Sequence, residues 1–287
     1  MNGRSMTEQG QRPRRESEPA MSASSFQDIT YAVHDTAAII TINRPERYNA
    51  FRGRTVEELI KAFRLAWADS GVRSVIFTGA GDKAFCTGGD VKQRAETGDY
   101  GPTESGMFEI GNLHKVIRDI PKPVIAAVNG VAVGGGHVLH VLADVSIASE
   151  TARFGQAGPR VGSFDAGFGT AYLARIVGEK KAREIWFWCR IYSAQEALAM
   201  NLVNKVVPPD QLMTEAKAWA DEIAALSPTA IRFLKQSFNA DTDHQAGFSN
   251  LAMTALDLFV DSPEGQEGAA AFAEKRPADF AAHARWH

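Results

Sequence analysis

Two periods of apolar and polar positions take turns along this chain. β-Branched runs at 37–43 (AAIITIN) and 72–78 (VRSVIFT) bracket the segment TVEELIKAFRLAWAD. In that segment Val56, Leu59, Ile60, Phe63 and Trp67 share one helical face, and Thr55 stands at capping-box spacing from Glu58. The order strand, helix, strand follows. A third strand run at 123–128 (PVIAAV) comes after a helical pattern around 111–119, and a fourth at 145–148 follows the helix that GGGHVLHVLAD begins. Such alternation predicts an α/β layered domain with largely parallel strands. Beyond residue 168 the pattern is helical, interrupted by a short LVNKVV. Of the three long helical patterns that follow, Asp210 is placed to cap the first, Ser227 and Pro228 to start the second, and the third spans 244–260. These helices are rich in alanine and carry aromatics, which predicts burial of part of their surface against another subunit.

Composition narrows the class. With 45% hydrophobic and 23% charged residues the chain reads as an ordinary soluble globular protein, and a net charge of -3 gives it no general attraction for nucleic acid. Cys86 and Cys189 are its two cysteines, without CxxC spacing, which suits a reducing compartment and points to the cytoplasm. Residues 1–25 mix Arg with Glu and lack an apolar stretch, so they read as a disordered tail rather than a signal peptide. The most apolar segment, 123–148, is broken by Asn129, three glycines, two histidines and Asp144, which argues against a bilayer span.

Candidate chemistry concentrates in glycine-rich turns. Gly79-x-Gly81-x-x-Ala84 imitates a dinucleotide fingerprint, but FCTGGD follows it where a helix is required. VNGVAVGGGHVLH leads through glycines into a helix N-terminus, whose free N–H groups stabilise negative charge, and FCTGGD can present backbone N–H groups likewise. Aimed at one carbonyl oxygen, two such turns form an oxyanion hole, each donor contributing roughly 2.7–4 kcal/mol to a developing oxyanion. FGQAGPRVGSFDAGFG, 154–169, adds Gln156, Ser163 and the carboxylate of Asp165 on a glycine-rich loop. His137, His140 and Asp144 lie on one helical face, but without HExxH or a second cluster they read as packed rather than metal-binding, and no metal is expected. No GxSxG elbow surrounds a serine.

RPERYNAF, FCTGGD, PKPVIAAVNGVAVGGG and FGQ, in this order, resemble the crotonase (enoyl-CoA hydratase/isomerase) superfamily. The resemblance implies a ββα-superhelix core at 26–205, a helical C-terminal trimerisation region at 206–287, a homo-oligomer of one or two trimers, and an acyl-CoA substrate. Its oxyanion donors would be the N–H groups of Gly89 and Gly135. Hydratases of the family use two glutamates, and the matching positions here are Val138 and Gly158, so simple enoyl-CoA hydration is not expected.

CTGGD, GDYG, GGGHVLH, VGSFD and EGQEG look like the 1,4-dihydroxy-2-naphthoyl-CoA synthase branch, which closes a ring on o-succinylbenzoyl-CoA in menaquinone synthesis. NAFRG, RDIPKPVIA and HQAG look like its sister, 2-ketocyclohexanecarboxyl-CoA hydrolase, which opens a ring. The synthase is the first reading, the hydrolase the alternative, and a non-catalytic or RNA-binding homologue the alternative of another class. In the synthase branch, bicarbonate stands in for a missing glutamate, and Gln156, Gly158 and Trp186 match its pocket. Asp165, supported by Ser163, would be the acid/base, Tyr100 would cover the substrate on a mobile loop, and Arg47, Lys92, Arg94 and Lys275 would meet the CoA phosphates. A tyrosine that the synthase branch supplies to the site falls at Val260 here, and the hydrolase's own tyrosine likewise falls at Val260 or Phe259.

Overall fold

The computed structural model describes residues 26–283, so the tail 1–25 lies outside the described residues. In chain order come β1 (Ile29–His34), β2 (Ala37–Ile42), α1 (Gly53–Ala68), β3 (Ser74–Gly79), β4 (Ala84–Cys86), α2 (Val91–Thr97), α3 (Ile110–Asp119) and β5 (Val124–Val128). Next are β6 (Val131–Val133), α4 (Gly135–Val141), β7 (Val145–Ser149), β8 (Arg153–Gly155), α5 (Phe168–Val177), α6 (Glu179–Trp188), β9 (Ile191–Ser193) and α7 (Ala194–Ala199). The chain closes with β10 (Lys205–Val207), α8 (Leu212–Ala224), α9 (Pro228–Ala240), α10 (Asp243–Val260) and α11 (Pro263–Glu274).

One sheet has the order β1-β2-β3-β5-β7-β10, antiparallel only between β1 and β2. A second, of short strands, has the order β4-β6-β8-β9 and is antiparallel only between β8 and β9. The strands at the centre of the first sheet are covered on both faces, which is why SVIFTG and VIAAV are buried along their whole length. Alternate side chains divide between two cores. Val75, Phe77, Val124 and Ala126 pack with Leu59 and Phe63 of α1 and with Leu113 and Ile117 of α3. Ile76, Ile125, Ala127 and Ile147 pack on the other face with Leu212, Ala216 and Ala220 of α8. The expected division at 205/206 therefore runs through β10, and the layered core extends to the end of α8.

Local chemistry shifts several expected boundaries. α1 begins before Thr55, whose Oγ1 accepts from the Arg52 amide at 3.1 Å and donates to Asp28 at 2.6 Å. Glu58 closes no capping box with Thr55; it accepts from the amides of Gln27 and Asp28, at 3.0 and 2.8 Å, and pins the start of β1. Ala62 and Ala66 are fully buried while Trp67, in the last turn, is 42% exposed. Asp210 sits in a short 3-10 turn ahead of α8 and does not cap it, whereas Ser227 caps α9 by accepting from the Ala230 amide at 3.3 Å. α9 and α10 leave Phe233, Leu234, Phe238, Phe248, Leu251 and Leu258 exposed. No described helix is long and apolar enough to cross a membrane.

Three histidines, His114, His137 and His140, are buried, and burial pushes each imidazole below its ordinary value, His137 down to about 3. The unfolded chain thus takes up protons below about pH 6.5 that the folded chain refuses. Their contribution to stability is complete above that pH and is lost as the pH falls toward 3. We expect the melting temperature in a calorimetric pH series to fall on acidification, and His137→Gln to make that fall shallower; parallel curves for the two proteins would refute the assignment.

Candidate active site

Backbone, more than side chains, builds one wall of the site. After β4 the chain turns through Thr87, Gly88 and Gly89 alongside Phe51. The Phe51 amide donates to the Gly88 carbonyl and the Asp90 amide to the Phe51 carbonyl, both at 2.8 Å, a single parallel bridge that leaves the Gly89 N–H unused. Asp90 then caps α2 by accepting from the Gln93 amide at 3.0 Å, and its other oxygen takes Arg44 Nη2 at 2.8 Å. Arg44 also donates to the Ala50 carbonyl, so the RPERYNAF segment clamps the CTGGD turn from beneath. On the other side β6 leads through Gly134, at φ 56° and ψ -129°, a conformation that glycine alone takes without strain. Gly135 is the first residue of α4, and its N–H is one of that helix's unpaired donors. The two turns touch, since a Cβ on Gly88 would stand 3.0 Å from the Gly135 nitrogen. Gly89 and Gly135 line one cavity of about 570 Å³.

Gln156, Gly158, Ser163, Asp165, Trp186, Tyr100 and Arg94 line the same cavity. Their contacts differ from expectation in three ways. Asp165 is not held by the Ser163 hydroxyl; its Oδ1 accepts from the amides of Gly167 and Gly169 at 3.0 and 3.4 Å, and the loop's own glycines orient it. Trp186 presents its ring but not its N–H, which donates to the Gly169 carbonyl at 3.1 Å. Arg94 lies at the wall with its guanidinium donating to the Val260 carbonyl at 3.1 Å and standing 6.0 Å from the centre of the Tyr100 ring. Tyr100 stacks on Phe108, centroids 4.5 Å apart, and covers Gly89, where a Cβ would meet its ring at 2.6 Å. Arg47, Lys92 and Lys275 do not line this cavity. Lys92 is exposed on α2, and Lys275 shares a separate groove with Arg160 and Arg276.

His137, His140 and Asp144 form no metal site, and no cluster of metal-binding side chains occurs among the described residues. His137 Nδ1 lies 3.2 Å from Gln156 Nε2, His140 Nδ1 lies 3.2 Å from Ser146 Oγ, and Asp144 takes the Val124 amide and Lys235 at 2.7 Å each. The two rings meet edge to face at 4.9 Å and stand behind Gln156, whose Oε1 is buried without a partner.

Sequence reasoning overlooked His114 and Asp257, both in the cavity wall. His114, beside the fully buried Leu113 on α3, reads as a core position in the sequence, yet both of its ring nitrogens are buried without a hydrogen-bond partner. Such a group costs about 1–3 kcal/mol when left unsatisfied. Burial lowers its proton affinity and the nearby Asp165 charge opposes that effect, so the ring is neutral beside the carboxylate. Asp257, on α10, is pushed up by burial and then by the Asp261 charge. Altogether Asp99, Glu109, Asp165, Asp257 and Asp261 line the cavity against two cations, Arg94 and Lys115.

Two glycine amides share one cavity with a backbone-held carboxylate, an arrangement able to polarise a carbonyl oxygen and to move a proton beside it. Residues 33–283 match the enoyl-CoA hydratase/isomerase family. Solved structures agree. A carnitinyl-CoA hydratase from Mycobacterium avium is 32% identical, over 89% of this chain and 99% of that one, with a TM-score of 0.79. An enoyl-CoA hydratase from Bacillus anthracis is 32% identical, over 88% and 98%, at 0.69. One from Mycobacterium avium subsp. paratuberculosis K-10 is 28% identical, over 88% and 98%, at 0.76. The chain belongs to the enoyl-CoA hydratase/isomerase, or crotonase, family, and its architecture is the α/β crotonase fold.

Gly158 shows why a glutamate is missing at that position. A Cβ there would stand 2.6 Å from the Ser163 carbonyl oxygen, inside the turn in which the Ser163 amide donates to the Gly158 carbonyl at 2.9 Å. Gly158→Glu is therefore expected to lower stability by about 1–3 kcal/mol, the usual range for overpacking, and to confer no hydration of crotonyl-CoA. A urea titration and an absorbance assay check the two halves; a variant that is both stable and hydrating would show that the backbone does not enforce glycine.

Proposed function

We propose that this protein is an enzyme acting on a CoA thioester whose acyl group carries a second, neutral carbonyl, and that it breaks the carbon–carbon bond between them. The observation that supports this reading is the cavity that joins the Gly89 and Gly135 amides to Asp165 while both hydratase glutamates are absent, with Val138 fully buried and Gly158 closed to any side chain. The thioester oxygen would sit against the two amides. Asp165 would take a proton from water as the water adds to the β-oxo carbon. Collapse of that adduct breaks the carbon–carbon bond, passes the electron pair into the thioester enolate held by the amides, and leaves a carboxylic acid; Asp165 then returns the proton to the α-carbon. For a cyclic substrate this is the ring opening of the 2-ketocyclohexanecarboxyl-CoA hydrolase type.

The ring-closing reading, of the 1,4-dihydroxy-2-naphthoyl-CoA synthase type, uses the same enolate and rests on the GGGHVLH and VGSFD segments. Its substrate brings a free carboxylate. Five carboxylates against two cations suit a neutral acyl group better, while Val260 stands where both branches have a phenol and favours neither. Bicarbonate fits the residues assigned to it only in part: Gln156 offers an unpartnered amide atom, but the Trp186 N–H is already engaged. The exposed apolar residues of α9 and α10 favour self-association, and the acidic net charge does not favour an RNA-binding homologue.

Incubation with 2-ketocyclohexanecarboxyl-CoA and with o-succinylbenzoyl-CoA in parallel, each with and without bicarbonate, tests the reading. Ring opening that ignores bicarbonate is the expected result, and closure of the second substrate without opening of the first would overturn it. Asp165→Asn is expected to lower kcat by about 10²–10⁴-fold while the acyl-CoA Kd stays within a few-fold; normal turnover would remove Asp165 from the mechanism.

A further inference from the structure

His114 is a polar group in the acyl cavity to which the mechanism above gives no task. Its ring is held from behind, edge to face with the fully buried Phe168 at 6.4 Å, between Leu113 and Ile117 on the same helix. It is 1% exposed, it lines the cavity together with Asp165, and neither nitrogen has a partner in the protein. A buried imidazole in a core is ordinarily satisfied, as His137 and His140 each are at one nitrogen. His114 is the buried histidine that lines this cavity with neither nitrogen partnered.

The chemistry of the pair specifies that partner. Ionised Asp165 offers lone pairs only, and neutral His114 offers one N–H and one lone pair. A carboxylate placed between them would set its own charge against Asp165. A neutral oxo group accepts from the His114 N–H, and the water that attacks its carbon has Asp165 to donate to. We propose that His114 is a substrate-binding residue that donates to the second oxygen of the acyl group, a neutral β-oxo oxygen, so that the cavity holds two separate oxygen sites. The first, the Gly89 and Gly135 amides, takes the thioester oxygen; the second, the His114 N–H, takes the β-oxo oxygen, with Asp165 left free to accept from water. This rests on the acyl-CoA reading above and adds to it a determinant of specificity, discrimination between a β-oxoacyl and a saturated acyl thioester of equal length.

Acetoacetyl-CoA and butyryl-CoA, equal in chain length and differing at the β-carbon, are suitable probes, with affinity read from stopped-flow quenching of tryptophan fluorescence. The full-length wild-type protein is expected to bind acetoacetyl-CoA about five- to tenfold more tightly, as one good hydrogen bond to a buried donor allows. His114→Phe is expected to abolish that preference while its butyryl-CoA affinity stays within about twofold of wild type, and His114→Gln, which retains a donor, to restore part of it. Should His114→Phe lose butyryl-CoA as well, the wild type decides: with ¹⁵N-labelled histidine, the His114 nitrogens shift on addition of acetoacetyl-CoA and not of butyryl-CoA. A preference that survives His114→Phe, or His114 resonances that respond alike to both esters, would overturn the proposal. Wild-type protein that binds both esters without preference overturns this proposal alone, whereas one that binds neither overturns the acyl-CoA reading with it.

Discussion

The active site depends on one close approach of two backbones. α4 starts so near β4 that the space a Cβ on Gly136 would need is taken by the Cys86 carbonyl, and a Cβ on Gly135 would stand 2.6 Å from the Phe51 ring. Only with glycine at these positions does the N-terminus of the helix reach the CTGGD turn, and only then do the Gly89 and Gly135 amides open into one cavity. The seven-residue helix is short, but the partial positive charge at a helix start resides in its first unpaired N–H groups, so length matters little there.

Holding the CTGGD turn against that helix requires charge to be buried. Arg44 and Asp90 pair at 2.8 Å with their side chains almost wholly covered, and Asp28 takes Arg52 Nε at 2.7 Å beside them. Burial pushes the Asp28 carboxyl up, but Arg52, Thr55 and Arg44 outweigh it and hold it below the ordinary carboxylate range. Such clusters add little net stability compared with an apolar replacement, although deleting a single member is costly. Their contribution here is positional. Arg44 reaches both Asp90 and the Ala50 carbonyl beside Phe51, and the Phe51 amide donates to the Gly88 carbonyl, which fixes the peptide plane that carries the Gly89 N–H.

Strong periodicity made the large sheet legible. β2, β3, β5 and β7 coincide with the β-branched runs, and α1, α3, α9 and α10 with the helical ones, because one apolar face or one fully apolar strand dictates each. The second sheet left no such trace. Its strands are three residues long, too short to show alternation, and their positions follow from the glycines between them. α11 escaped notice for a related reason: alanine and glycine pattern it weakly, although Ser262 and Pro263 carry the same start signal as Ser227 and Pro228. In the site, the glycine turns and the carboxylate could be read from residue type. His114 could not, since a histidine among leucines and isoleucines on a helix has the pattern of a core residue, and its orphaned nitrogens are a property of the tertiary structure.

The segment around Asp165 is tied to the C-terminal helices by close glycine contacts as well as by the Phe164 ring, 5.2 Å from Phe259. Gly162, at φ 67°, lies against the Gly265 backbone, and Gly268 of α11 in turn lies against Gly162, each without space for a Cβ. Gly162 and the pair Gly265 and Gly268, about a hundred residues further on, are therefore coupled, since a side chain at 162 or 268 would displace the backbone at 265 or 162. At 257 and 260, by contrast, α10 lines the cavity, so a change of side chain there reshapes the cavity without moving that frame.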